Sequence, residues 1–175
     1  MSTRTLFTRA LIGATLALLA VPAMATAQSA SRPVVVAHGP LVDFSTATAD
    51  ATDGASAYLV SAVAGTGTRL TFVVTGLSAP AGKVFGAHAH TGTCTQNASA
   101  AAGPHYRVPG GPVDAQHEVW LDFTVLPGGA GVGVAFATVP FVIPDGAAKS
   151  VVIHQMAMAP DGSAGPRLAC LPVNF

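Results

Sequence analysis

Charge is scarce in this chain: only 9% of its 175 residues are Asp, Glu, Lys or Arg, eight basic against eight acidic. No block of one sign stands out, and the acidic residues are not clustered. Cysteine is limited to Cys94 and Cys170, and no run of long helix-forming residues occurs beyond the N-terminus. There is no internal repeat. The weak charge argues against nucleic acid or an anionic membrane surface as partner, because both are held by dense positive patches. With neither acidic pairs nor reactive thiols gathered anywhere, the six histidines carry the chemistry to be explained.

The N-terminus is built differently from the rest. Arg4 and Arg9 form a basic head, Ala10 to Val21 is almost unbroken apolar sequence, and Ala23-Met24-Ala25-Thr26-Ala27 is a small-residue tail. This pattern predicts a secretory signal peptide over residues 1–27, cut after Ala25 or Ala27. The apolar run is short for a membrane span, which takes about 20 residues. No cysteine adjoins either cut, so a lipid anchor has no attachment point. Residues 28–175 then form one domain with a core of its own. Without Arg4 and Arg9, six basic residues face eight acidic ones, a formal charge of −2. The expected location is outside the cytoplasm, secreted or in the periplasm or cell envelope, with no membrane contact after cleavage. In such a compartment two cysteines suggest one disulfide. It would close a loop of about 77 residues, worth on the order of 4 kcal/mol if unstrained.

Gly, Pro, Ala, Val and Thr dominate the rest. Short Val-, Thr-, Phe- and Leu-rich segments predict strands over 33–44, 56–63, 68–75, 83–91, 117–125, 131–138, 149–156 and 168–173. Turn signals such as Thr52-Asp53-Gly54, Ala64-Gly65 and Pro127-Gly128-Gly129 separate them. Eight short strands so spaced predict an all-β fold, an eight-stranded Greek-key barrel or sandwich. One connection, Gly92 to Gln116, is too long for a hairpin and holds Cys94 and His105. Long loops in compact domains usually serve function. A bridge from Cys94 to Cys170 in the last strand would turn it into a rigid platform.

His88-Ala89-His90 lies on a predicted strand, where residues i and i+2 leave the same face about 7 Å apart. Two such imidazoles can converge on one copper or zinc ion. His105 follows Gly103-Pro104 in the long loop, and His154 closes the apolar strand Ser150-Val151-Val152-Ile153. Each alone reads as well as a surface or core histidine; the set is more telling than its members. His38 reads as an edge histidine, and Trp120, Tyr106, Phe123 and Phe136 as packing residues, Tyr106 with a second reading beside a metal channel.

The run Gly86-Ala87-His88-Ala89-His90, then Cys94, Gly103-Pro104-His105-Tyr106, Val151-Val152-Ile153-His154 and Arg167-Leu168-Ala169-Cys170 resembles the Cu/Zn superoxide dismutase family in order and spacing. Val74-Thr75-Gly76-Leu77 agrees as well, and the resemblance spans nearly all of residues 28–175. It implies a copper site at His88, His90, His105 and His154, guidance of the superoxide anion by Arg167, and a Cys94–Cys170 disulfide. It also implies that His105 bridges two metals and hands on a proton in turnover. Copper suits dismutation because it cycles by one electron, which zinc does not. Either a monomer or a homodimer fits, since an apolar dimer face and a core strand read alike in sequence.

Two departures matter. In the zinc-bearing pattern His117 matches a ligand, but another histidine position falls on Pro109 and the aspartate position on Trp120. Asp122 lies two residues out of register. A closed zinc site takes four ligands, so zinc is expected to be absent or weak, and His117 reads equally as a surface residue. The connection Gln155 to Pro166 is short and carries only Asp161 as a charge, where the family has a long charged loop with an aspartate that supports the metal ligands. The pattern resembles copper-only bacterial members. The expected function is an exported copper-dependent superoxide dismutase; the alternatives are a copper-buffering protein on the same fold and a domain that has lost its metal.

Overall fold

A computed structural model describes residues 34–175. The expected signal peptide and the segment 28–33 lie outside the described residues. Strands β1 (Val34–Pro40), β2 (Val42–Asp43), β3 (Ser56–Ala64), β4 (Gly67–Thr75), β5 (Val84–His90), β6 (Phe123–Val125), β7 (Gly133–Val139), β8 (Ser150–His154) and β9 (Arg167–Pro172) account for the regular structure, with one short 3-10 helix, Ser99–Ala102. All pairings are antiparallel, in the order β1-β3-β4-β7-β6-β5-β8-β9-β2. The two outermost strands are consecutive in the chain, so the segment 34–43 nearly closes the sheet into a barrel. The fold is all-β, as the composition predicts.

The first expected strand, 33–44, is two strands in the structure. Pro40 ends pairing with β3, because a proline has no N–H for a ladder; the chain then crosses to pair Val42 with Cys170 of β9. The expected strand 117–125 is regular only at β6. Its register with β5 nonetheless persists through His88↔Trp120, and Leu121 N–H still donates to Ala87 O at 2.6 Å.

Alternation positions everything that follows. On β3 and β4, Leu59, Phe72 and Val74 are fully buried. Side chains from β5, β6 and β8 (Phe85, Ala87, Ala89, Phe123, Val151, Ile153) join them in one core. Burying each Leu, Phe or Ile contributes about 1.5–3 kcal/mol. Phe72, Phe85 and Phe123 meet at ring-centroid distances of 6.2 and 5.5 Å. Since Ala87 and Ala89 fill the barrel, His88 and His90 must point out of it. They are buried all the same, because the loop after β5 folds back over this outer face.

Candidate metal centre

Three constraints hold that loop in place. Cys94 and Cys170 form a disulfide, with Cα atoms 5.9 Å apart. Cys170 is packed there with Phe44, Ala102 and Val152 in a second, smaller apolar cluster. The loop backbone also pairs with the end of β5: His105 bridges His90, and Tyr106 N–H donates to Ala89 O at 2.8 Å. Glycine is required at the crossing, since a Cβ on Gly92 would overlap Ala101 and Ala102 backbone.

This brings four histidines together: His88 and His90 from β5, His154 from the adjoining β8, and His105 from the loop. One ring nitrogen from each lies within 4.8 Å of every other. His88, His90 and His154 are buried, while the His105 side chain is 17% exposed. Ring centroids of His88 and His105 are 4.5 Å apart, and those of His90 and His105 4.7 Å.

The partners of the outer ring nitrogens fix the protons. His90 Nδ1 faces Gly103 O at 3.0 Å, His154 Nδ1 faces Gly165 O at 3.2 Å, and His105 Nδ1 faces Glu118 Oε2 at 3.1 Å. These oxygens accept, so each Nδ1 carries the hydrogen and each Nε2 keeps its lone pair. His88 Nε2 lies 3.3 Å from Asp122 Oδ1, within ion-pair reach but off hydrogen-bond geometry. Neither ring nitrogen of His88 has a hydrogen-bond partner. Such an orphan costs free energy when nothing offsets it. A divalent cation shared by the four rings would engage one of these two nitrogens and offset that part of the cost. The 3.3 Å between His90 Nε2 and His154 Nε2 is the spacing of two ligands each about 2.0–2.1 Å from one ion. The donor set therefore fits a metal ion, and imidazole suits copper or zinc.

Electrostatics agree. Burial pushes His90 down to about 2 and His154 down to about 3. His105 is lowered too, by burial first and then by His88, against the pull of Glu118. Neutral imidazoles are the form that binds metal. Burial would raise Asp122, but its contacts with His88 and the N–H groups of Met158 and Ala87 hold it low.

Glu118 was not legible as a site residue. It is the chain's single glutamate, buried, and one oxygen accepts both His105 Nδ1–H and Trp120 Nε1–H, the latter at 3.0 Å. Its signal was a lone acid alternating with Trp120 and Asp122. Asp122, out of register in sequence, stands beside His88 and also accepts from Met158 N at 2.7 Å.

Arg167 donates to Ser99 O and Gly103 O, both at 2.8 Å. The Gly103 carbonyl thus receives both Arg167 and His90. His117 lies apart: its Nδ1 pairs with Asp114 at 2.7 Å, and it belongs to neither of the two potential ligand groups among the described residues. The other group, Asp43, Asp50 and Asp53, is a set of turn acids whose oxygens accept local hydrogen bonds. Tyr106 is buried and packs on Phe141 at 6.1 Å, a core role. His38 is exposed on the edge strand β1 and stacks on Tyr58. No helix among the described residues is long and apolar enough to cross a membrane.

No protein-family model matches this chain, and no curated protein matches it.

Proposed function

We propose that this chain is an extracytoplasmic copper protein that dismutes superoxide to dioxygen and hydrogen peroxide. The observation that carries the reading is the convergence of four imidazoles, three of which turn their other nitrogen onto an oxygen acceptor, while the buried His88 ring has no hydrogen-bond partner. His88, His90, His105 and His154 would hold the metal. Bound there, copper supplies one-electron cycling between the two half-reactions.

The chain's own groups supply the rest. His105 is the one ring of the four with a partly exposed side chain, so it is the ligand whose Nε2 would exchange the metal for a proton and pass that proton to reduced substrate. Glu118 keeps the other proton on Nδ1 and fixes the ring plane. Arg167 stays cationic and is anchored by two carbonyls beside the His90 support, where it attracts a small anion. Zinc is not part of the proposal: the nitrogen of His105 that would face a second metal is taken by Glu118.

A buried site also suits a copper-holding protein with little turnover, since three of the four rings are shielded from solvent. Cu(II) titration with paramagnetic resonance, followed by stopped-flow superoxide decay, separates the readings. The expected result is one copper with imidazole nitrogen couplings and rapid decay, both lost in His88→Ala and His154→Ala. Tight copper without decay supports holding; refusal of Cu(II) sinks both.

A further inference from the structure

The outer face of β1, β3, β4 and β7 lies outside the metal centre and is strongly apolar. Its side chains follow from the register. Val36, Val60, Thr71 and Phe136 form one cross-strand row, and His38, Tyr58, Val73 and Val134 the next. These residues alternate with the buried Leu59, Phe72 and Ala135, so they point away from the barrel. Phe136 is 76% exposed, and Val34, Val36 and Tyr58 are also exposed. The adjoining row of Val34, Ala62, Arg69 and Thr138 contributes the only formal charge of the three rows, at Arg69. Contiguous apolar surface of this kind marks an interaction site.

The same face has a hollow. A depression of about 290 Å³ lies among His38, Tyr58 and Val73, and Gly39 at its edge leaves open space where a Cβ would stand. Phe136 protrudes two strands and one row away, roughly 12 Å at ordinary sheet spacings.

We propose that this face joins two copies of the chain in a symmetric dimer, with Phe136 of each copy seated in the Tyr58 depression of the other. A two-fold axis lying in the interface, midway between ring and hollow, exchanges the two features and satisfies both at once. Sheets packed in this way interdigitate about 10 Å apart. A second copy is the occupant because the face carries both a ring and a ring-sized hollow. It also meets itself almost without like-charge repulsion. Burying both faces would remove on the order of 1,000 Å² in total, the lower edge for a specific interface. The proposal is independent of copper.

Sedimentation velocity from about 1 to about 200 μM, on protein recovered from the producing cell, tests it. The expected result is a monomer–dimer equilibrium whose Kd rises at least about 100-fold in Phe136→Asp and rises also in Tyr58→Ser. Circular dichroism should be unchanged, since the Phe136 ring supports no core. Val36→Lys, on the same row, serves if Phe136→Asp misfolds. A wild-type monomer at the highest concentration overturns the proposal, as does a dimer indifferent to these substitutions. A monomer whose Val36 and Tyr58 resist hydroxyl-radical labelling also overturns it, placing the chain's own N-terminal residues on the face.

Discussion

Each clustered histidine depends on a neighbour that a motif does not specify. His90 leans on Gly103 O, His154 on Gly165 O and His105 on Glu118, while His88 has only the nearby charge of Asp122. Glu118 is the most exposed to test, because one carboxylate oxygen satisfies two buried donors. Removing it leaves His105 Nδ1–H and Trp120 Nε1–H without an acceptor. Glu118→Ala should lower stability by about 1–3 kcal/mol and copper affinity about 10- to 100-fold. Glu118→Gln should retain part of both, because its amide oxygen can still accept. Urea unfolding and competitive copper titration measure the two effects. Unchanged copper affinity in Glu118→Ala would remove Glu118 from the site.

At the scale of elements, the strands were largely legible and their interruptions partly so. β3, β4 and β7 carry β-branched and aromatic residues between glycine turns, and they fall close to the expected spans. Pro40 was visible in the sequence, yet its consequence, a chain that leaves one edge of the sheet and joins the other, depends on where β9 lies. The long loop was legible as a loop because it lacks strand pattern and is rich in Gly and Pro. The resemblance implied that His105 meets His88 and His90, but not how the loop is seated on β5, since the His90–His105 bridge joins backbone groups that sequence leaves unmarked. The Cys94–Cys170 disulfide ties this loop to β9 across a separation of 76 residues. Cys170→Ser should cost on the order of 4 kcal/mol by loop entropy, and the added loop freedom should weaken copper binding through His105. Thermal unfolding with and without reductant checks the first expectation, and a copper titration of the variant checks the second.

For the whole molecule, acid is the natural probe. In the folded chain His90 and His154 stay neutral until about 2 and about 3, against 6.5 for a free imidazole, and His105 is lowered as well. Unfolded chains therefore take up protons that folded ones refuse. Stability is intact above about pH 6.5 and falls as pH drops from there toward 3, by about 1.4 kcal/mol per pH unit for each histidine that titrates. Asp122 adds to the loss below its free value of 3.8, because its folded form holds the charge. Urea unfolding of metal-stripped protein at several pH values measures the slope, and His154→Gln should make it shallower. A stability independent of pH between 7 and 4.5 would contradict the neutral, buried state of these rings. Protons compete with metal for the same nitrogens, so copper release should follow the same direction.

The sequence by itself determined the all-β class, the long loop, and histidine as the chemistry of the chain; the choice of four histidines among six and the pairing of the cysteines came with the family resemblance. Strand alternation, turn residues and H-x-H spacing are local rules, readable from neighbouring residues. Only the tertiary structure decided that β5 is buried on both faces, that Glu118 and Asp122 stand against His105 and His88, and that His117 stands apart. It also left Phe136 in solvent, where sequence reads it as a packing residue. These outcomes depend on which faces the barrel turns inward and on what the loop covers. Such contacts join residues distant in the chain, and no local pattern records them.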